Sequence, residues 1–211
     1  MIGLVLFAAV LIQGGDTPQP DRWHGLILGE TRPEQAVQLL GNPKSDKPDR
    51  LFIREIGKWF EPGLSRKNLR KQTFREVAGF DRVDLYYKDG NLVVIQLDPS
   101  RDQIQPSALQ NIYGVEFRPF VDAFTESSFP GDFERHEGRV FPRMYPLVYS
   151  VVAISPKAII AGRILNGGVG RSLRTLAVAV DAPGSGFPGK VQYIQLISRQ
   201  LENRQGANLL K

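Results

Sequence analysis

The chain contains no cysteine, and this absence excludes several kinds of chemistry at once. Without a thiol the protein cannot form disulfides, bind zinc through thiolates, use a cysteine nucleophile or carry a lipid on an N-terminal cysteine. Histidine is nearly as scarce, because His24 and His136 are the only two. A metal site built on several histidines is therefore excluded, and we expect no cofactor.

Familiar catalytic motifs are also missing. The segment Asn166–Ser172, NGGVGRS, resembles a phosphate-binding loop, but Arg171 replaces the lysine and a strand pattern follows where such a loop needs a helix. No G-x-S-x-G nucleophile elbow occurs. Asp81, Asp84 and Asp98 are interpreted as surface and turn residues, since positions 81 and 84 of a strand point to opposite faces. We therefore expect neither an enzyme nor a nucleotide-binding protein.

An enzyme with an unrecognised carboxylate site is the least favoured alternative. It requires at least two acidic side chains that converge in a cleft and have raised pKa values.

Charge of one sign is only slightly in excess. The 211 residues carry a net charge of +5, and 42% of them are hydrophobic, which is enough for one ordinary domain or two small ones. A mildly basic protein favours acidic partners. The charge does not indicate nucleic-acid binding, so we expect no nucleic-acid partner.

No apolar run is long enough to cross a membrane as a helix. The longest, Ile2–Ile12, has 11 residues, whereas a spanning helix needs about 20. This length is typical of the core of a secretory signal, although no Lys or Arg precedes it. We interpret residues 1–15 as a signal-like segment and 16–21 as a linker, and expect a periplasmic or secreted protein. A buried terminal strand or helix is the alternative.

A short helix is sharply bounded by its sequence. Thr31 is the predicted N-cap, Glu34 completes a capping box, and Pro33 lies in the first turn, where its missing N–H costs nothing. Gly41 ends the helix and Pro43 prevents its extension. The apolar stripe that predicts packing against a sheet consists of Ala36, Val37 and Leu40.

Strand patterns dominate the remainder of the chain. The segment Arg82–Pro99 alternates around Asp89-Gly90, which is typical of a tight hairpin turn. Further predicted strands are Leu51–Ile56, Pro146–Ile154, Ala158–Leu165, Leu173–Val180 and Lys190–Ser198. The sequence thus predicts an α+β fold in which short helices pack on an antiparallel sheet.

The two halves of the chain share a faint common pattern. Pro33–Gly41 and Pro106–Gly114 have proline and glycine at the same spacing, and each precedes a predicted hairpin. We predict two helix-plus-sheet units, 22–100 and 101–205, packed as one body. Chance spacing is an equally good explanation of the repeat.

These elements resemble a known family. Gly29, the capped helix from Thr31, its Leu39-Leu40-Gly41 exit with Pro43 and the Asp89-Gly90 hairpin are similar to the SmpA/OmlA small outer-membrane lipoproteins of the β-barrel assembly machinery. They also resemble the fold-related β-lactamase inhibitory protein, in which such units occur in tandem. The resemblance covers residues 24–99, without the lipoprotein cysteine. It implies a noncatalytic envelope module that works through protein contacts.

The basic segment 57–77 is the most informative polar region. Six cations against two acids leave it a charge of +4 out of the total of +5. We interpret it as a loop that binds either an acidic protein surface or an anionic glycan or lipid, with aromatic anchors. A solvated hairpin with buried aromatics is equally consistent. The candidate residues are Lys58, Trp59, Phe60, Arg66, Lys67, Arg70, Lys71 and Arg75.

The preferred prediction is a protein-interaction module of the bacterial cell envelope. It would hold an envelope protein on a concave sheet face or on the basic segment.

Overall fold

A computed structural model describes residues 19–51, 68–100, 109, 113–119, 133–136, 139–142, 144–145, 148–165, 178–179 and 190–202. Strands account for most of these residues, and α1 spans Pro33–Leu40. The predicted antiparallel sheet is confirmed. Because the described part of the chain is mainly β, the α+β class fits it only loosely.

One large sheet organises the molecule. Within the described residues it has eight strands: β3 (Ser45–Arg50), β4 (Asn68–Val77), β5 (Phe80–Lys88), β6 (Asn91–Pro99), β7 (Arg118–Pro119), β11 (Val148–Ile154), β12 (Ala158–Leu165) and β14 (Lys190–Ser198). They follow the order β3-β4-β5-β6-β14-β12-β11-β7, and every neighbouring pair is antiparallel.

In the part of the chain that the structure describes, three short strand pairs lie outside this sheet. They are β1 (Arg22–Trp23) with β2 (Leu26–Ile27), β8 (Phe133–His136) with β9 (Arg139–Pro142), and β10 (Met144–Tyr145) with β13 (Val178–Ala179). A 3-10 helix, Arg199–Leu201, follows β14 directly.

The strand order separates the two halves of the chain. From the edge inwards, residues 45–99 supply β3, β4, β5 and β6, and residues 118–198 supply β7, β11, β12 and β14. Each half therefore places its last strand at the centre, where β6 pairs with β14. The boundary near residue 100 separates these two sets of strands, but the sheet is continuous across it.

The helix α1 begins one residue later than predicted. Its N-cap is Arg32, whose N–H donates to the side chain of Gln35 at 2.7 Å. Thr31 is not the cap, because its hydroxyl accepts from the N–H of Ile27 at 2.8 Å. The predicted end is confirmed, since Gly41 follows the last helical residue with a φ of 82°.

Several strand predictions are confirmed, and two lie mostly outside the described residues. Of the strand expected at Leu51–Ile56, only Leu51 is described, and it lies outside any strand; Ser45–Arg50, for which no strand is predicted, forms β3. The hairpin turn at Asp89-Gly90 has positive φ at both residues, 51° and 80°, as predicted. Strands β11, β12 and β14 also form where predicted. Of the strand predicted at 173–180, only Val178–Ala179 lies within the described residues.

Alternation along the strands gives the sheet two faces. On β5, Leu85 and Tyr87 pack in the main core with Ala36 of α1, and we name this the α1 face. Tyr86, between them, points to the other side and belongs to a second cluster with Val94 and Ile197. We name that side the distal face. Both faces of the sheet therefore bury apolar side chains.

Candidate functional site

Strand β4 carries the described part of the basic segment. Arg70, Lys71 and Arg75 lie on this strand, so the interpretation of residues 57–77 as a loop is wrong for positions 68–77. The other five candidates, Lys58, Trp59, Phe60, Arg66 and Lys67, lie outside the described residues. Consecutive positions of a strand point to opposite faces, so Arg70 and Lys71 enter different environments.

Arg70 is held on the α1 side of β4. Its guanidinium donates to both carboxylate oxygens of Asp46 on β3, at 3.0 and 2.9 Å, and lies 3.6 Å from Glu34 of α1. The amide of Gln72 donates to Asp46 at 2.9 Å and accepts from the buried Tyr87 hydroxyl at 2.8 Å. These bonds tie helix, edge strand and core together. The hydrogen bond from Arg70 is the main reason that the pKa of Asp46 is lowered.

Lys71 is held on the distal side. It pairs with Asp49 of β3, lies 3.9 Å from Asp84 of β5, and stands 5.7 Å above the ring of Tyr86. The hydrogen bond from Lys71 lowers the pKa of Asp49. Two of the three described cations of the basic segment are therefore already neutralised by carboxylates of this chain.

A row of polar side chains crosses the centre of the distal face. The strand registers place Thr73 beside Asp84, Asp84 beside Gln96, and Gln96 beside Gln195. A second row runs next to it, with Arg75 opposite Arg82 and Arg82 opposite Asp98. We name these seven residues the polar track: Thr73, Arg75, Asp84, Arg82, Gln96, Asp98 and Gln195.

Side-chain hydrogen bonds and ion pairs connect most of the polar track across four strands. The Thr73 hydroxyl donates to Asp84 at 2.7 Å, and Arg82 Nε lies 3.4 Å from the same carboxylate. Asp98 pairs with Arg82 Nη2 at 2.6 Å and accepts from the Gln96 amide at 2.9 Å.

The amide of Gln195 then donates to Gln96 at 3.0 Å. This last bond crosses the junction between β6 and β14, so the connected track extends from one half of the chain to the other.

The charged side chains in the connected part of the polar track are partly or almost fully buried. The side chain of Asp84 is 4% exposed, that of Asp98 is 23% exposed and that of Arg82 is 37% exposed. Burial raises the pKa of Asp98, and the hydrogen bonds from Gln96 and Arg82 only partly oppose it. The Nε atom of Arg82 is buried and makes no hydrogen bond with any residue that the structure describes.

The structure corrects the earlier interpretation of the carboxylates. Asp84 is a buried residue of the distal face, not a surface residue. Asp98 belongs to the same network, whereas Asp81 is exposed and accepts from the Ser100 hydroxyl at 2.6 Å. The one local indication of this network in the sequence is Asp84 itself, an acidic residue inside the apolar run of β5. The remaining partners depend on the strand register, which a single sequence does not specify.

In the described part of the chain, no group of three or more His, Asp or Glu side chains is arranged to hold a metal ion. None of the described helices is both long and apolar enough to span a membrane. Comparison with protein-family models, with curated proteins and with solved structures finds no match. The chemical character of the polar track is therefore the main guide to function.

Proposed function

We propose that this chain is a noncatalytic protein-interaction module of the bacterial cell envelope, and that the distal face of the sheet binds its partner. The polar track is the observation that carries the proposal. Three of its members, Thr73, Asp84 and Gln195, are buried. The four that are at least partly exposed offer hydrogen-bond donors and acceptors of both charges, and they are Arg75, Arg82, Gln96 and Asp98.

Preorganisation is the physical reason to favour such a surface for binding. Side chains that are already ordered lose little conformational entropy when a partner docks, and that cost is otherwise about 0.5–1.5 kcal/mol for each flexible side chain. A sheet also holds its side chains on a more rigid frame than a loop does.

The two-unit α+β organisation belongs to the same proposal. The mirrored strand order of the two halves supports it, because each half contributes four strands to the large sheet and ends at its centre. Leu109 and Tyr113 support it further, since both have helical backbone and pack in the main core with Ala36 of α1. The envelope location rests on the signal-like segment and on the resemblance to the SmpA/OmlA family.

An anionic glycan or lipid is the less favoured ligand. Polyanion binding through Lys67, Arg70, Lys71 and Arg75 requires several free cations, but Arg70 and Lys71 are paired with carboxylates of β3. A partner would have to displace those carboxylates. Binding would then depend steeply on salt, because exposed charges are screened over about 10 Å at 0.1 M salt.

The carboxylate-enzyme alternative has one supporting observation, the raised pKa of Asp98. Both candidate carboxylates already have partners, since Asp84 accepts from Thr73 and Asp98 pairs with Arg82. A general acid or base must also lie within hydrogen-bond reach of a substrate, and the side chain of Asp84 is only 4% exposed.

Site-specific photo-crosslinking in cells tests the proposed surface. One variant carries a photoreactive phenylalanine at Tyr193, which lies two residues before Gln195 and is therefore on the distal face. The matched control carries it at Gln38, an exposed residue of α1 on the other side of the sheet. After irradiation, envelope and cytosolic fractions are compared.

We expect a discrete protein adduct from position 193 in the envelope fraction, and none from position 38. Equal adducts from both positions, or none from position 193, would refute the use of the distal face. Fractionation of the chain with the cytosol would refute the proposed location.

A further inference from the structure

An unusual pair of like charges stands at one end of the polar track. Arg75 of β4 lies directly opposite Arg82 of β5. Both side chains belong to the distal face, because Arg75 follows Thr73 by two residues, Arg82 precedes Asp84 by two, and Thr73 bonds to Asp84. Like charges directly opposite each other in a sheet are destabilising. The fold therefore retains an unfavourable pair at a place where opposite charges would stabilise it.

The two arginines differ in how their charges are balanced. Arg82 is anchored by Asp98 and lies near Asp84. Arg75 is exposed and makes no ion pair or side-chain hydrogen bond within the part of the chain that the structure describes. It thus differs from Arg70 and Lys71 on the same strand, which are both paired with carboxylates.

The end of the edge strand explains this difference. The pairing of β3 with β4 runs from Arg50 opposite Asn68 to Ser45 opposite Thr73. Arg75 lies two residues beyond the last paired position, so β3 cannot supply a carboxylate to it as it does to its two neighbours. Glu76 is also exposed, but it has a φ of 54° in a strand irregularity and directly follows Arg75. Among the described residues, an unpaired arginine thus lies directly across the strand pair from a paired one.

We propose that Arg75 and Arg82 form the docking point for a single carboxylate side chain of the partner protein. This inference rests on the proposed function and specifies the chemistry of its site. Arginine presents a planar fork that matches a carboxylate with two hydrogen bonds. A partner carboxylate between the two guanidinium groups relieves their repulsion and adds the missing counter-charge to Arg75. A polyanion is a poorer match, because the neighbouring Arg70 and Lys71 are already paired.

Acetate serves as a probe that does not depend on the partner. The Nε–Hε signals of the arginines in the full chain are followed by NMR while sodium acetate is added, with sodium chloride as the control. We expect acetate to shift the Arg75 and Arg82 signals saturably and to leave the Arg70 signal unchanged. In Arg75→Gln the shift at Arg82 should disappear. Shifts no larger than those caused by chloride, or equal shifts at Arg70, would overturn the carboxylate site.

The crosslinking assay from position 193 then tests whether the partner uses this site. Arg75→Gln should lower the adduct yield about two- to fivefold, as for loss of one exposed ion pair, and Arg75→Lys should restore only part of it because the fork is lost. The control Arg70→Gln should leave the yield unchanged. An unchanged yield with Arg75→Gln overturns the docking point but leaves the proposed function standing. Absence of any adduct in the parent chain overturns both, even if acetate binds.

Discussion

Replacing the buried carboxylate of Asp84 is the sharpest test of the polar track. In Asp84→Ala the Thr73 hydroxyl loses its acceptor, and two cations lose one of their two carboxylate neighbours. A hydrogen bond to a charged group contributes about 1.5–3 kcal/mol. Removing one partner of a fully buried ion pair costs about 3–5 kcal/mol.

The expected loss of stability in Asp84→Ala is smaller than the cost of breaking a fully buried ion pair, for a structural reason. Lys71 keeps Asp49 and Arg82 keeps Asp98, so neither cation is left without a carboxylate. We therefore expect the free energy of unfolding to fall by about 2–3 kcal/mol. For a chain of this size that corresponds to a decrease in Tm of about 5–10 °C.

Urea unfolding followed by circular dichroism measures this change. The matched control is Asp81→Ala, three residues away on the same strand but exposed, which should change stability by less than about 0.5 kcal/mol. Asp84→Asn keeps an acceptor oxygen and should lie between the control and the alanine variant. A double-mutant cycle with Thr73→Val should give a coupling of about 1–2 kcal/mol. If Asp84→Ala is no less stable than the control, the described network does not stabilise the fold.

Two further predictions concern a turn and the pH dependence of stability. Gly90→Ala should lower the free energy of unfolding by about 1–2 kcal/mol, because φ is positive there, and the added Cβ would meet the flexible end of Arg32 at 2.5 Å; urea midpoints measure it. The pKa of Asp98 is raised by burial, so its ionisation opposes folding, and the stability of the parent relative to Asp98→Asn should fall as pH rises above about 4. The pKa of Asp46 is lowered, mainly by Arg70, so the advantage of the parent over Asp46→Asn should be present above about pH 4 and be lost as pH falls below it. Unfolding curves between about pH 2 and 6 give the slope of relative stability against pH for each of the two aspartates. Slopes of the same sign would contradict the opposite pKa shifts of Asp98 and Asp46.

The elements that could be predicted from the sequence are those with local signals. Asp89-Gly90 adopts positive φ at both positions, so the turn follows from residue type alone. The end of α1 at Gly41 has the same origin. The start of α1 was misplaced because Thr31 uses its hydroxyl for Ile27 and so is not available to cap the helix.

Strand β3 shows why other elements could not be predicted. Its sequence, Ser-Asp-Lys-Pro-Asp-Arg, has no apolar alternation and includes Pro48. It pairs with β4 from Ser45 to Arg50, and two of its carboxylates contact Arg70 and Lys71 of that strand. Charged residues and proline are tolerated at a sheet edge, where they also discourage pairing with other chains.

The candidate site was predictable only in part. The positive charge of the segment 57–77 indicates β4 as part of a candidate site. The carboxylates that balance this charge are Asp46, Asp49 and Asp84. The first two are distant from β4 in sequence, and Asp84 was interpreted as a surface residue. Gln96 and Gln195 are 99 residues apart, and their contact follows from the pairing of β6 with β14. No local pattern encodes that pairing.

The central position of β6 has a consequence for synthesis of the chain. Its inner edge pairs with β14, so residues 94–97, of which Val94, Ile95 and Leu97 are apolar and buried, lie on an open edge until the chain extends past residue 190. At about 5–20 residues per second, the roughly 100 residues in between take about 5–20 s to make. During that time the first half of the protein is a template for aggregation with its neighbours. The junction that unites the mature sheet is thus also the point at which the nascent chain is most exposed to misassembly.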